Sequence, residues 1–380
     1  MRKPPLWLAA AAVASAWMAV YSVGRWILQF ATGPVHEDVR LTYVAAEAGI
    51  RYGWSTIYDQ SVLRDLSASF PGDARYIDSV MTYVNPPLLA WLFAPLTVFP
   101  EPIAYAVWTV ISVATLVFAW HIAAPYDGLA KVTLLLVFIG LWPVLLSFFF
   151  GQPIILVIAL LAAAWWLTAH EQPLAAGAAL AVATFLKPQD VVLLPLVLLV
   201  SGRYRVVAIW ALGCAALGAA TALNLGSAGL TSWWHALRDG QASATHLEYT
   251  LAHVFGLGPF TYALWAVQGA AAVYVAWARR LETEIVFAAG ILGSATVAFH
   301  FHQADYSCLV LGAWLVLRTS PPLWHRLWML PGILAMQAMI YLVVAPQLIW
   351  DASWLAILVA STFAQARAAS RTAWPIPVRP

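Results

Sequence analysis

Charge is what this chain has least of. Of its 380 residues, 19 are basic and 17 acidic, together 9%. A soluble fold carries roughly 25% charged residues, because its surface faces water. Hydrophobic residues instead make up 63% of the chain, and the mean hydropathy is +0.79. Soluble enzymes, disordered tails and coiled coils are thereby excluded. The composition predicts an all-α, polytopic membrane protein, one integral membrane domain over 1–380. Cysteine is scarce too: Cys214 and Cys308 each sit in an apolar run, which suits buried thiols better than a disulfide or a metal site. No Gly-rich nucleotide loop, Walker sequence or HExxH is present, so nothing suggests a soluble sugar-nucleotide or ATP site. No nucleic acid partner is expected.

Outside a few exceptions, the basic residues fall in clusters between apolar runs: Arg2 with Lys3, Lys131, Arg203 with Arg205, Arg279 with Arg280, Arg318 with Arg326, and Arg367 with Arg371 and Arg379. The positive-inside rule places every cluster in the cytoplasm. Consecutive clusters must then be separated by an even number of crossings. Spans at 6–30, 102–124, 131–150, 152–169, 173–186, 189–201, 204–224, 254–278, 284–300, 305–318, 327–345 and 349–365 satisfy that parity, twelve in all. Parity requires 86–99 to enter without crossing, as a re-entrant segment. The first span reads as an uncleaved signal anchor: Ala14-Ser15-Ala16 resembles a cleavage site, but apolar character continues to Phe30. Several spans have only 13 or 14 residues, short against the roughly 20 needed for ~30 Å of hydrocarbon. Such lengths predict broken helices that end at a polar cavity.

With this orientation the outer face receives 31–101, the turns at Gly151, Lys187 and 300–305, and a second large loop at 225–253. Eleven charges lie between Glu37 and Asp78. Val39, Tyr43, Ala46 and Ile50 form one stripe there, the pattern of helices lying along a membrane surface. The loop 225–253 adds His235, Arg238, Asp239, His246, Glu248 and His253, which read mostly as an ordinary wet loop. The 21 Trp and 14 Tyr read mainly as interfacial anchors.

Lys187 is the sharpest feature. It is one of three lysines and stands between two apolar helices in Phe185-Leu186-Lys187-Pro188-Gln189-Asp190. A charge at that depth faces a cavity or an anionic ligand, or else pairs locally with Asp190. Gln152, in Gly151-Gln152-Pro153, offers a donor and an acceptor at another outer turn. His300-Phe301-His302-Gln303-Ala304-Asp305-Tyr306 gathers two His, a Gln, an Asp and a Tyr. Two His at i and i+2 near an Asp suit hydrogen bonding to a ligand or a catalytic carboxylate better than metal ligation, because no third His or Cys stands at a fixed spacing. No cofactor is expected, and a divalent metal stays open.

These residues resemble a known family. Asp38-Val39-Arg40-Leu41-Thr42-Tyr43-Val44-Ala45-Ala46 with Tyr58-Asp59 is similar to the first outer loop of glycosyltransferase family 87. Tyr83-Val84-Asn85-Pro86-Pro87-Leu88 resembles its aromatic-x-Pro-Pro entry into a helix. Gly151-Gln152, Ala176-Gly177, Lys187-Pro188, and His302 with Asp305-Tyr306 resemble its central and late blocks, in order. The resemblance spans about 30–320 and departs from the pattern at Thr42 and at Gln189-Asp190. It implies the C-type glycosyltransferase (GT-C) architecture, a polyprenyl-phosphate-linked sugar donor, mannose first among the sugars, and a site on the non-cytoplasmic face of the plasma membrane. A lipid or glycan would be the acceptor.

Inverting transfer from a lipid phosphate needs a base for the acceptor hydroxyl and a cation for the leaving phosphate. Asp38 fits the first role and Lys187 the second, with His302 and Gln152 orienting donor phosphate or sugar. Asn85, Tyr43, His300 and Asp305 join them as donor-binding candidates. The rival reading is a polytopic transporter or flippase, which shares broken helices and a mid-chain Lys but usually carries internal repeats. No repeat relates the halves of this chain.

Overall fold

The computed structural model describes residues 4–33, 37–68, 83–242 and 248–372. Among them the regular structure is helical throughout, with no strand. The helices are α1 (Leu6–Thr32), α2 (Glu37–Tyr52), α3 (Gln60–Ser67), α4 (Pro87–Phe93), α5 (Glu101–Ala123), α6 (Gly128–Gly140), α7 (Trp142–Phe149), α8 (Ile154–Ala169), α9 (Pro173–Leu186), α10 (Leu194–Val200), α11 (Tyr204–Ala242), α12 (Leu251–Phe255), α13 (Pro259–Ala278), α14 (Thr283–Val297), α15 (Cys308–Arg318), α16 (Leu323–Ala338) and α17 (Ala345–Thr372). Proline starts many of them: Pro87, Pro102, Pro143, Pro173, Pro195 and Pro259 occupy the first or second position. The ring fixes a helical φ where an N–H would have no partner anyway.

Each of the twelve expected spans overlaps a helix, in 189–201 one of only seven residues. Four helices are long and apolar enough to cross a membrane: α1, α5, Tyr204–Asp239 of α11, and Ala345–Gln365 of α17. The pair α6–α7, bent by 59°, makes a fifth if it is one span. α8, α9, α14 and the 188–200 segment are apolar but shorter. The long helices α1 and α11 bury little of their surface; Trp7, Val13, Trp17 and Leu223 stand exposed on them. Apolar side chains so exposed belong against lipid. The centre is α14, buried without interruption from Ile285 to Thr296 and packed against α10, α13, α15 and α17.

Three expectations change. The segment 131–150 is not one straight helix, because Gly140-Leu141-Trp142-Pro143 breaks it. A break inside hydrocarbon leaves backbone groups that must be satisfied by protein. Gln337 of α16 does this from both sides: its Oε1 accepts from the Trp142 N–H at 3.1 Å, and its Nε2 donates to the Gly140 carbonyl at 2.8 Å. Ser22 of α1 donates to the same carbonyl at 3.2 Å. Second, most of the described part of the expected loop 225–253 is helix. α11 runs on to Ala242 across a break at Gly226, whose φ of 61° and ψ of −175° lie outside the helical region. Third, α2 is covered by protein over far more than one stripe. Val39, Tyr43, Val44, Ala45, Ala46 and Ala48 are all buried, and of the expected stripe only Ile50 is exposed. Its alanines let α3, α4 and α5 close around it.

Candidate active site

α2 is held from one side by α5. Arg40 makes a two-pronged contact with Glu101, Nε to Oε1 at 2.9 Å and Nη2 to Oε2 at 3.1 Å. The Tyr43 hydroxyl donates to the Phe99 carbonyl at 2.8 Å. Both Glu101 and Tyr43 are buried, so these bonds carry more weight than surface pairs would. They fix the start of α2, and with it Asp38.

The second piece is the end of α7. Gly151 has φ +57°, a left-handed conformation that suits glycine. The Gln152 N–H reaches back to the Ser147 carbonyl at 2.9 Å and the Gly151 N–H to Phe148 at 3.2 Å, closing the helix in the Schellman manner. Space imposes the same residue: a Cβ on Gly151 would lie 2.4 Å from Val39 Cγ2. Trp108 of α5 donates its indole N–H to the Gly151 carbonyl at 2.9 Å. The turn is thus pressed against the residue next to Asp38, and the Gln152 amide Nε2 donates to Asp38 Oδ2.

The third piece is the end of α9. Pro188 stops the helix, since it lacks an N–H and disfavours a helical Lys187. Lys187 accordingly has φ −148° and ψ 86°. Its ammonium bonds to Asp305 Oδ1. The sequence allowed a local pair with Asp190, but the partner lies 118 residues away. The 3-10 turn Pro188–Asp190 takes Asp190 out of α9's helical phase. Asp305 is wholly buried, and its other oxygen accepts from the His302 N–H at 2.9 Å. Lys187 is 5% exposed. Asp38 lies near enough to act on its charge.

The 300–306 turn completes the cluster. His300 Nδ1 lies 2.7 Å from Glu248 Oε1, and the rings of His300 and His302 meet edge to face at 4.5 Å. Burial, followed by His300, holds His302 below its ordinary pKa, so its ring is neutral at pH 7. The turn is anchored by its neighbours: the Tyr249 N–H donates to the Phe301 carbonyl at 2.8 Å, and the Tyr306 hydroxyl to the Tyr249 carbonyl at 2.9 Å. Gln303 bridges to Tyr249, and Trp142 donates to Gln303 at 2.9 Å. The break between α6 and α7 therefore abuts this turn.

Asp38, Gln152, Lys187, His300, His302 and Asp305 thus come together, from α2 and from turns at the ends of α7, α9 and α14. Tyr43 and Asn85 make contacts of their own. Tyr43 directs its hydroxyl to the Phe99 carbonyl, and the Asn85 carbonyl receives the Tyr58 hydroxyl at 2.6 Å. Tyr58 stacks between Tyr83 and Trp233, and Asp59 caps α3 by accepting from the Ser61 N–H at 2.9 Å. The hydrogen bond from the Ser61 hydroxyl, foremost among several causes, holds Asp59 below the usual carboxylate range. Sequence reasoning missed Glu101 as the anchor of Arg40 and Glu248 as the partner of His300. Neither has a local motif. Among the described residues no three His, Cys, Asp or Glu side chains converge as a metal-binding group.

An all-helical chain with membrane-length apolar helices, carrying carboxylates, an ammonium and imidazoles at its helix ends, is built as a membrane enzyme. The chain matches the model of Glycosyltransferase family 87 over residues 83–321, more than half its length, and it belongs to that family. It is a membrane glycosyltransferase. No curated protein and no solved structure matches it. Gln152, Lys187 and the 300–306 turn lie inside the matched residues, and Asp38 lies before them.

Proposed function

We propose that this enzyme moves a hexose, with mannose the first sugar to test, from a polyprenyl-phosphate donor to a lipid or glycan acceptor, with inversion. Its fold in this reading is GT-C with twelve crossings, 86–99 entering without traversing. The site then opens on the non-cytoplasmic face of the plasma membrane. One observation carries the mechanism: Asp38 is held by the Gln152 amide at the edge of the Lys187 field. Asp38 accepts the acceptor's hydroxyl proton while that oxygen attacks the anomeric carbon. The bond from that carbon to the phosphate oxygen breaks, and polyprenyl phosphate leaves with the electron pair. Lys187 opposes the charge that grows on the phosphate. Asp305 holds the ammonium in place, and His302 offers a neutral ring nitrogen, with His300 beside it, to sugar or phosphate. Family membership weighs against the transporter reading.

The test is to incubate purified protein with radiolabelled polyprenyl-phosphate sugars and native lipid extract, and to follow label into new lipid. Wild type should transfer label. Asp38→Asn keeps the shape and removes the basicity, so it should lose about 10²–10⁴ in rate while donor binding persists. Undiminished turnover by Asp38→Asn would remove Asp38 from the mechanism. Absence of transfer from every polyprenyl-phosphate sugar would overturn the donor class.

A further inference from the structure

Asp190 closes the 3-10 turn that follows Lys187. It is fully buried, and apart from the neighbouring Cys308 thiol neither carboxylate oxygen has a hydrogen-bond partner among the described residues. The groups that face it are Lys187 on its own turn, Asp305 before α15 and the Cys308 thiol at the start of α15. Asp38 of α2 acts on the same ammonium, His302 on Asp305, and Asp351 of α17 reaches as far as Cys308. α14 packs on this segment, and its Ser294 accepts from the Leu193 N–H at 3.0 Å. One cation therefore stands among several carboxylates. Asp305 holds that cation in direct contact and has a backbone donor, whereas Asp190 feels the ammonium only from a distance and has no backbone donor. A wholly buried carboxylate that has no cation in contact and shares a distant one with other carboxylates takes up a proton instead.

We propose that Asp190 holds a proton in the resting enzyme and sets the charge of the donor site. As a neutral acid it leaves Lys187 facing two carboxylates, Asp305 in contact and Asp38 further off, so the cluster opposes the single negative charge of a phosphodiester-linked lipid less than it would with Asp190 ionised. Were Asp190 ionised, an arriving anion would meet one ammonium among three carboxylates. Donor affinity therefore weakens as Asp190 loses its proton, and donor binding draws a proton in. This inference rests on the reading of the site as one for a lipid phosphodiester.

The probe is methyl polyprenyl phosphate, a diester whose own charge does not change near neutral pH; a free monoester would titrate there. Binding is measured on protein in lipid nanodiscs, alongside the infrared carbonyl stretch of protonated carboxylic acids. At pH 7 wild type should show a protonated-acid band that Asp190→Asn removes. Asp190→Asn should bind the probe within about twofold of wild type, because an amide reproduces the neutral acid. Above the pH at which the band fades, wild-type affinity should fall by up to about tenfold per unit, while Asp190→Asn stays flat. If Asp190→Asn destabilises the protein, proton uptake by wild type on probe binding gives the same answer without a variant. A pH 7 spectrum with no band assignable to Asp190 overturns the proposal, as does an affinity loss of tenfold or more in folded Asp190→Asn. If wild type never binds the probe, the donor reading fails, while the infrared band still decides Asp190's protonation.

Discussion

Lys187 shows how a single side chain can bear on fold and chemistry together. It is the counter-charge of a wholly buried carboxylate, so Lys187→Met removes more than a ligand contact. Breaking a buried pair from one side costs about 3–5 kcal/mol, because the remaining charge is stranded. Lys187→Met should therefore melt well below wild type. Adding Asp305→Asn removes the stranded charge and should recover most of the melting temperature. Adding Asp190→Asn should not, since Asp190 is not the partner. Neither double variant should bind a polyprenyl phosphodiester, because the ammonium is gone from both. Recovery of binding in Lys187→Met with Asp305→Asn, followed by a ligand-induced melting shift, would remove Lys187 from the phosphate role.

Among the elements, the broken pair α6–α7 depends on a side chain from α16. Gln337→Leu keeps the volume and withdraws both hydrogen bonds. Ser22 still serves the Gly140 carbonyl, but the Trp142 N–H is left without its partner. An unsatisfied buried donor costs about 1–3 kcal/mol, and the loss should show as a lower melting temperature. Gln337→Glu retains an oxygen for Trp142 and should lose less. An unchanged melting temperature in Gln337→Leu would mean that the break needs no partner from α16. The elements themselves were largely legible in the sequence, since apolar runs, prolines and basic clusters delimit each helix locally. Lys187, Gln152 and the 300–306 turn stood out as rare polar groups among apolar ones. Their partners did not. Arg40 and Glu101 are 61 residues apart, Lys187 and Asp305 118. No local pattern encodes a pairing made by packing. The burial of α2 was equally hidden, because its charges, read alone, describe a surface helix.

For the whole molecule, the proposed topology puts the described part of the first outer segment and the Lys187 turn on one side. In a background without Cys214 and Cys308, cysteines at Ser61 and Gln189 should both react with an impermeant maleimide from outside intact cells. Reaction at only one would separate Asp38's neighbourhood from that of Lys187. The short helices have a consequence for the surrounding lipid. α8, α9 and α14 have 16, 14 and 15 residues, about 21–24 Å at 1.5 Å per residue. Gln152 precedes α8, Lys187 follows α9, and His302 and Asp305 follow α14. In the proposed topology, helices of that length stop short of the boundary of a ~30 Å slab, so the phosphate of the proposed donor has to sink beneath its neighbours' headgroups to meet them. Thinning the leaflet relieves that descent, at fractions of a kcal/mol per Å of mismatch. Transfer measured in liposomes of decreasing acyl-chain length should therefore speed up, and the gain should appear in KM for the lipid donor.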